Sequence, residues 1–153
     1  LQKVVYENLV EVGGIKYSIK DREFAEAIQA TFRKVNIPIE SAQEIQPWEF
    51  RSGKGSTDVG DVSWMVPTAG LNVATWIPGT SAHTWQAVAA GGMDIGMKGL
   101  MVAVKTLALS AMDYYNKPDI IRKAKAELSD RRGPNFDYYA LLGDRDPPLD
   151  FRN

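Results

Sequence analysis

One histidine carries the most versatile chemistry in this sequence. His83 follows the apolar segment 71–77 and lies in a loop that begins with Pro78-Gly79. A neutral imidazole binds metal ions, and near neutral pH it also acts as a general acid or base. The alternative is a loop histidine that only hydrogen-bonds to backbone. Because His83 is the single histidine of the chain, a dinuclear metal site built from this chain alone would lack ligands.

A second candidate site is the glycine-rich segment 53–61, which reads GKGSTDVGD. Its glycines allow backbone N–H groups to approach an anion closely, and Ser56 and Thr57 add hydroxyl donors. It is not a phosphate-binding P-loop, because the lysine precedes the second glycine and no Gly-Lys-Ser/Thr follows at the required spacing. The alternative is a solvated turn in which Asp58 caps a helix.

The tryptophans are a third feature with two interpretations. They could line an aromatic substrate pocket, but large aromatic side chains more often form part of a hydrophobic core. We expect at least two of the four to be buried. They are Trp48, Trp64, Trp76 and Trp85.

Composition excludes several classes of function. The 153 residues include 18 basic and 19 acidic side chains, so the net charge of −1 gives no electrostatic reason to expect a nucleic-acid partner. The absence of cysteine excludes disulfides and thiolate chemistry and fits a reducing compartment, so we expect a cytoplasmic protein. The chain starts at Leu1 without a signal-peptide pattern, and we interpret it as a piece of a longer protein.

Two segments predict β-strands. Residues 3–12 are rich in valine, and residues 71–77 combine β-branched and aromatic side chains between chain-breaking glycines and prolines. The second segment is typical of a buried strand and leads directly to His83.

Three segments predict helices. The first follows Ser18-x-x-Asp21, a pattern that caps a helix start. The second is a long, almost wholly apolar helix from Asp94 to about Tyr115, which must be covered by protein on most sides. Its charged residues argue against a membrane span. The third runs from Pro118 to about residue 132. Alternation of strands and helices favours a three-layer α/β domain or part of one.

Together, the two loops resemble the C-terminal part of a known family, the dinuclear metal-dependent aminoacylases and glutamate carboxypeptidases. The sequences GSTDVGDVSW at 55–64 and HTWQ at 83–86 look closest to the branch that contains the B subunits of aminobenzoyl-glutamate hydrolases. That branch cleaves the amide between p-aminobenzoate and glutamate. The similarity extends from about Val4 to Tyr115.

The resemblance implies a fold and a domain division. The expected fold class is α/β, as part of a three-layer α/β/α metallopeptidase-type catalytic domain. Residues 1–14 would end an inserted lid and dimerisation domain, and residues 15–153 would form the C-terminal part of the catalytic domain.

The resemblance also implies roles for site residues. His83 matches the last metal ligand of the family, on one of two zinc or manganese ions in the intact protein. Gly55, Ser56, Thr57 and Asp58 match the segment beside the substrate carboxylate. Many relatives carry Glu-Asp where this chain has Thr57-Asp58, which makes Asp58 the better candidate for a structural contact in the loop. The other ligands, the bridging aspartate and the general-base glutamate have no counterpart in this chain.

We therefore expect the C-terminal fragment of a metal-dependent amidohydrolase that acts on p-aminobenzoyl-glutamate or a similar N-acyl amino acid. The fragment alone should be inactive, and the parent protein should form homo- or hetero-oligomers without nucleic-acid or membrane partners. The alternative is a stand-alone ligand-binding or interaction domain, in which the glycine loop binds the ligand and the apolar helix forms a dimer interface.

Overall fold

The structure is a computed structural model that describes residues 1–33, 37–50, 55, 57–140 and 142–150. Ser56, one of the predicted site residues, lies outside the described residues. The described elements are α1 (Gln2–Val12), α2 (Ile19–Gln29), a 3-10 helix (Ile39–Gln43), α3 (Val59–Met65), α4 (Trp85–Gly91), α5 (Asp94–Asn116) and α6 (Pro118–Arg132).

The described part of the chain is all helical and contains no β-strand, so the predicted α/β three-layer fold is wrong for this structure. Residues 3–12 form helix α1 because one face of it, with Val5 and Asn8, is buried against α5. Strand propensity is weaker than such tertiary packing. The hydroxyl of Tyr114 also donates to the carbonyl of Leu1 at 3.1 Å, which fixes the start of α1 on α5. The domain assignment of residues 1–14 stays a prediction.

The second predicted strand, 71–77, is irregular. A strand needs a neighbouring strand to pair its backbone groups, and the described residues supply none. The segment is instead held at its two ends. Gln2 exchanges two hydrogen bonds with the backbone of Gly70, at 2.7 and 2.9 Å, and Ile77 is buried in the core.

Helices form at the three predicted places, although the first ends at Gln29 and is shorter than the four turns that the spacing of Phe24, Ile28, Phe32 and Val35 predicts. Helix α2 begins with a capping box: the N–H of Asp21 donates to the hydroxyl of Ser18 at 3.3 Å, and the N–H of Ser18 donates back to the Asp21 carboxylate. Helices α5 and α6 run close to their predicted limits, and Pro118 stands in the first turn of α6.

Apart from Ile95, the buried residues of α5 are small, and its large side chains are mostly exposed. The small buried residues are Gly96, Gly99, Thr106 and Ser110. The opposite side, here called the outer face of α5, is apolar and about half exposed; it comprises Met97, Leu100, Met101, Val104, Leu107 and Met112. The expectation that protein covers this helix on most sides is therefore not met by the described residues.

The inner face of α5 also carries a small polar network. The side-chain amide of Asn8 donates to the Ser110 hydroxyl at 3.2 Å and to the Asp113 carboxylate at 3.0 Å. Hydrogen-bonded partners make the burial of such polar groups tolerable. By length and composition, α5 is the one helix of the described chain that could cross a membrane, a property it shares with core helices of globular proteins.

The hydrophobic core lies between α2, α4 and α5. Its buried side chains are Ala25, Ile28, Ile39, Ile77, Ala90 and Ile95. Because Ile77 enters this core directly before the Pro78-Gly79 turn, the core fixes the base of the loop that carries His83.

Candidate functional site

The loop that carries His83 starts from a rigid base. Ile77 is 1% exposed, and its carbonyl accepts two hydrogen bonds from Thr80, one from the backbone N–H at 3.0 Å and one from the hydroxyl at 2.7 Å. These bonds close a turn over Pro78-Gly79. The chain therefore leaves the core in a defined direction towards His83.

Helix α2 fixes both ends of the same loop. The side-chain amide of Gln29 donates to the carbonyl of Pro78 at 3.0 Å. On the far side of the loop, the amide of Gln86 donates to the hydroxyl of Thr31 at 3.1 Å. The loop is thus held at both ends by side-chain contacts to the same helix and its C-terminal turn.

His83 itself has an unusual backbone conformation. Its φ angle is +60°, and it is the one non-glycine residue with positive φ in the part of the chain that the structure describes. This left-handed conformation costs of order 1–3 kcal/mol for a non-glycine residue and is often found at functional sites. Thr84 enforces it from the next position: its hydroxyl caps α4 by accepting from the N–H of Ala87 and donates to the carbonyl of Ser81.

The His83 side chain is exposed, and among the described residues it makes no hydrogen bond. An imidazole that donates to no backbone group keeps both ring nitrogens available to a ligand. The residues present therefore fit a role for His83 as one ligand of a metal ion. No group of three or more histidine, cysteine or acidic side chains suited to a metal ion occurs among the described residues, so further ligands would have to come from outside them.

The glycine-rich loop is more exposed to solvent than the base of the His83 loop. Gly55, Thr57 and Asp58 are all exposed, and no described atom lies within 4 Å of a Cβ built on Gly55. Thr57 joins the loop to α3, because its hydroxyl accepts from the N–H of Val59 and its carbonyl accepts from the N–H of Gly60, both at 3.3 Å. Asp58 stands at the N-cap of α3, but its carboxylate makes no capping bond. The interpretation that the Asp58 carboxylate caps this helix is therefore wrong.

Helix α3 buries none of its residues, and the segment after α6 holds it in place. The indole of Trp64 stacks on the ring of Phe136, with centroids 5.3 Å apart and ring planes at 17°. The guanidinium of Arg132 lies 4.9 Å from the centroid of the same phenyl ring. The hydroxyl of Tyr138 donates to the Asp61 carboxylate at 2.9 Å. This hydrogen bond, together with partial desolvation, raises the pKa of the Tyr138 phenol above its ordinary value.

These contacts were not anticipated from the sequence. Tyr138 and Asp61 are 77 residues apart, and neither the tyrosine nor Phe136 stands in a recognisable motif. The sequence offered one weak signal: a short apolar patch between residues 136 and 142, after the Gly133-Pro134 break. An apolar patch of this kind indicates that its side chains pack against another part of the protein, but it does not indicate which part.

The predicted burial of tryptophans is wrong. All four are between 39% and 59% exposed. Two of them, Trp48 and Trp64, line an open cleft of about 1050 Å³ between α1, the segment 46–50, α3 and α6. Neither His83 nor the described loop residues Gly55, Thr57 and Asp58 line that cleft. This cleft therefore lies away from the candidate chemistry. No hydrogen bond among described residues joins the two candidate loops.

Comparison with known proteins connects the chain to a named hydrolase. The chain is 28% identical, over 152 aligned positions, to the B subunit of p-aminobenzoyl-glutamate hydrolase from Escherichia coli (strain K12). The alignment covers 83% of this chain and lies in the C-terminal part of that protein. The match fits a fragment of that family. The resemblance inferred from the two loops is confirmed.

The match covers only part of the relative. The aligned part is 32% of the length of the relative, so the chain spans about a third of that protein. No protein-family model and no solved structure matches the chain.

Proposed function

We propose that this chain is the C-terminal part of a metal-dependent amidohydrolase that cleaves the amide of p-aminobenzoyl-glutamate or a similar N-acyl amino acid. The similarity to one subunit of a hydrolase supports the reaction class. The observation that carries the proposal in the structure is the exposed His83 imidazole, which has no hydrogen-bond partner among the described residues and lies on a left-handed turn whose ends are fixed to α2 and its C-terminal turn.

His83 would hold one of two zinc or manganese ions in the intact protein. When bound, such ions lower the pKa of a water molecule and polarise the scissile carbonyl. The role of this chain is to hold a neutral imidazole in one place, and the fixed turn suits that role because a preorganised ligand loses little conformational freedom on binding. The other ligands and the general base would come from residues outside this chain.

The glycine loop would bind the carboxylate of the substrate. Gly55 leaves open space beside its backbone, and Ser56, Thr57 and Asp58 follow it in sequence. Backbone N–H groups and hydroxyls in such a loop are suitable donors for a carboxylate. Asp58 is itself anionic, so we assign it a structural contact in the loop and assign the carboxylate contacts to the N–H groups and to the hydroxyls.

The same proposal extends to the oligomeric state, the cellular compartment and the ligand of the parent protein. The relative is named as one subunit of its enzyme, and we propose that the parent of this chain forms a homo- or hetero-oligomer in the cytoplasm. Its ligand would be a small N-acyl amino acid, with no nucleic-acid or membrane partner. The near-neutral charge balance agrees with this choice.

A second candidate function is a non-catalytic binding or interaction domain. The observation that favours it is the exposed outer face of α5, since apolar surface of this extent commonly marks an interaction site. The two functions differ in one respect that is simple to measure: only the first requires hydrolysis by the full-length protein.

The decisive variant is His83→Asn in the full-length protein. Asparagine tolerates the left-handed conformation but removes the imidazole, so the loop should keep its shape. We expect metal affinity to fall more than about 100-fold, with hydrolysis of p-aminobenzoyl-glutamate falling in parallel. Metal content by mass spectrometry and the rate of p-aminobenzoate release measure the two effects.

His83→Gly is the matched control for the backbone. Glycine relieves the left-handed strain, so this variant should be at least as stable as the parent protein while also losing the metal. The 153-residue chain alone, assayed with Zn²⁺ or Mn²⁺, should show no hydrolysis. Turnover by the His83→Asn variant at the parental rate would contradict the metal role, and turnover by the isolated chain would contradict its description as part of a larger site.

A further inference from the structure

The connection between helix α3 and the segment after α6 has a consequence for the substrate loop. Helix α3 has seven residues and buries none of them. So short a helix is not stable by itself in water, and its position depends on contacts with the rest of the protein. Two of those contacts are made by Phe136 and Tyr138.

The first contact is a layer of aromatic and cationic groups. Phe136 stacks on Trp64 of α3 and also lies beneath the guanidinium of Arg132 at the end of α6. The Nε and Nη2 atoms of Arg132 are buried and have no hydrogen-bond partner in the part of the chain that the structure describes. A guanidinium against the face of a phenyl ring gains cation–π attraction, which partly offsets that burial. The ring of Phe136 therefore links α3 to the much longer helix α6.

The second contact fixes the rotation of α3 near its start. The Tyr138 hydroxyl donates to Asp61 at 2.9 Å, and the N–H of Asp61 donates to the carbonyl of Asp58 at 3.2 Å. Thr57 is bonded to Val59 and Gly60 of the same turn. Asp58 thus lies one hydrogen bond away from Asp61, which Tyr138 holds, and Thr57 is bonded within the same turn.

We propose that Phe136 and Tyr138 are positioning residues for the carboxylate-binding loop: they hold α3, and through it Thr57 and Asp58, at the place where the substrate carboxylate binds. This inference rests on the proposed function, because it assigns to the loop the role stated there. It adds that Tyr138, which lies 77 residues after its partner Asp61 in the sequence, influences substrate affinity through α3.

The first experiment measures the position of α3 without any substrate. Hydrogen exchange of the amides in residues 57–65 is followed in the full-length protein. We expect Phe136→Leu to accelerate this exchange about tenfold, because it removes both the stacking and the cation–π contact. Tyr138→Phe should accelerate it about threefold, because one exposed hydrogen bond is lost. Tyr139→Phe, the same chemical change at the neighbouring exposed tyrosine, should leave it unchanged.

The second experiment measures the substrate site in the full-length protein. It compares p-aminobenzoyl-glutamate with the same compound in which the α-carboxylate is converted to an amide. We expect Tyr138→Phe to raise KM for the carboxylate compound about threefold with kcat unchanged, and to leave KM for the amide compound unchanged. A purely structural role would change both substrates alike or change kcat.

The outcomes separate the two proposals. Wild-type protein that hydrolyses neither compound contradicts the proposed function. Wild-type hydrolysis with equal KM values in wild type and Tyr138→Phe overturns the positioning role alone. Unchanged amide exchange in Phe136→Leu overturns it as well, since α3 would then be held by something else. Faster exchange together with the selective rise in KM establishes it.

Discussion

The two candidate loops differ in how the protein holds them. The His83 loop leaves the hydrophobic core at Ile77 and is bonded to α2 and its C-terminal turn at both ends. The glycine loop leads into α3, which buries nothing and is held by a few contacts from the segment after α6. A group that binds or reacts must be held within about 0.5 Å of its productive position, and the firmer anchoring is found at the loop that carries the proposed metal ligand. The difference in anchoring matches the difference in the roles proposed for the loops.

The largest expected effect comes from filling the contact between α5 and the segment that leads to His83. A Cβ added at Gly99 would lie 2.3 Å from the carbonyl oxygen of Ala74, so the backbone would have to move. We expect Gly99→Ala to lower the free energy of unfolding by about 3 kcal/mol. Chemical denaturation measures the change.

Gly60→Ala is the matched control on the other loop. No described atom lies within 4 Å of a Cβ at Gly60, and alanine favours helix, so this variant should be neutral or more stable by up to about 1 kcal/mol. Equal destabilisation by the two variants would show that the two loops are anchored alike.

A second test concerns the link between α2 and α5. Asp21 is 3% exposed, caps α2 and pairs with Lys98 of α5. Burial acts to raise the pKa of Asp21, but the hydrogen bonds from Lys98 and Ser18 prevail and hold the pKa below its ordinary value. The folded state therefore binds this proton less readily than the unfolded state does. The resulting stability is present above the ordinary pKa of about 4 and is lost as pH falls through the lower folded pKa.

We expect Asp21→Asn to lower the free energy of unfolding at pH 7 by about 2 kcal/mol, through the lost cap and ion pair. The variant should also lose less stability between about pH 5 and pH 2 than the parent chain does. Glu23→Gln, an exposed change on the same helix, should alter neither quantity noticeably. If the free energy of unfolding of Asp21→Asn depended on pH as that of the parent chain does, the pH dependence could not be attributed to Asp21. Urea denaturation at a series of pH values provides the measurement.

The smallest effect is expected at the residue after His83. Thr84→Ala removes the N-cap of α4 and the bond to Ser81. We expect a loss of about 1 kcal/mol, which is a fall in Tm of about 3 °C, and a several-fold loss of metal affinity because the turn at His83 becomes less constrained. Thr68→Ala removes an exposed hydroxyl that bonds to Val66, away from both loops, and should change neither. Thermal melting measures the stability of both variants, and metal titration of the full-length protein measures their metal affinity.

The sequence predicted the parts of the fold that local chemistry determines. Ser18 and Asp21 signal a helix start through side chains three residues apart, and Pro118 signals another through its missing N–H. Residues 3–12 were assigned wrongly because their valines favour a strand locally, while burial of Val5 and Asn8 against α5 selects a helix. That packing partner lies about a hundred residues away, and no local pattern reveals it.

The site could be predicted only in part for the same reason. Residue types identified His83 and the glycine loop as candidates, but the left-handed backbone of His83 gives no sequence signal in a non-glycine residue. The bond between Tyr138 and Asp61 depends on how the chain returns after Gly133, where φ is +73°. Contacts of this kind depend on tertiary geometry.

The arrangement of α5, with glycines inside and methionines and leucines outside, will govern how this chain behaves at the bench. Its outer face makes the isolated polypeptide surface-active. The polypeptide should bind strongly to phenyl resin and increase the fluorescence of an environment-sensitive dye. It should also adsorb to plastic and to air–water interfaces unless a mild detergent is supplied.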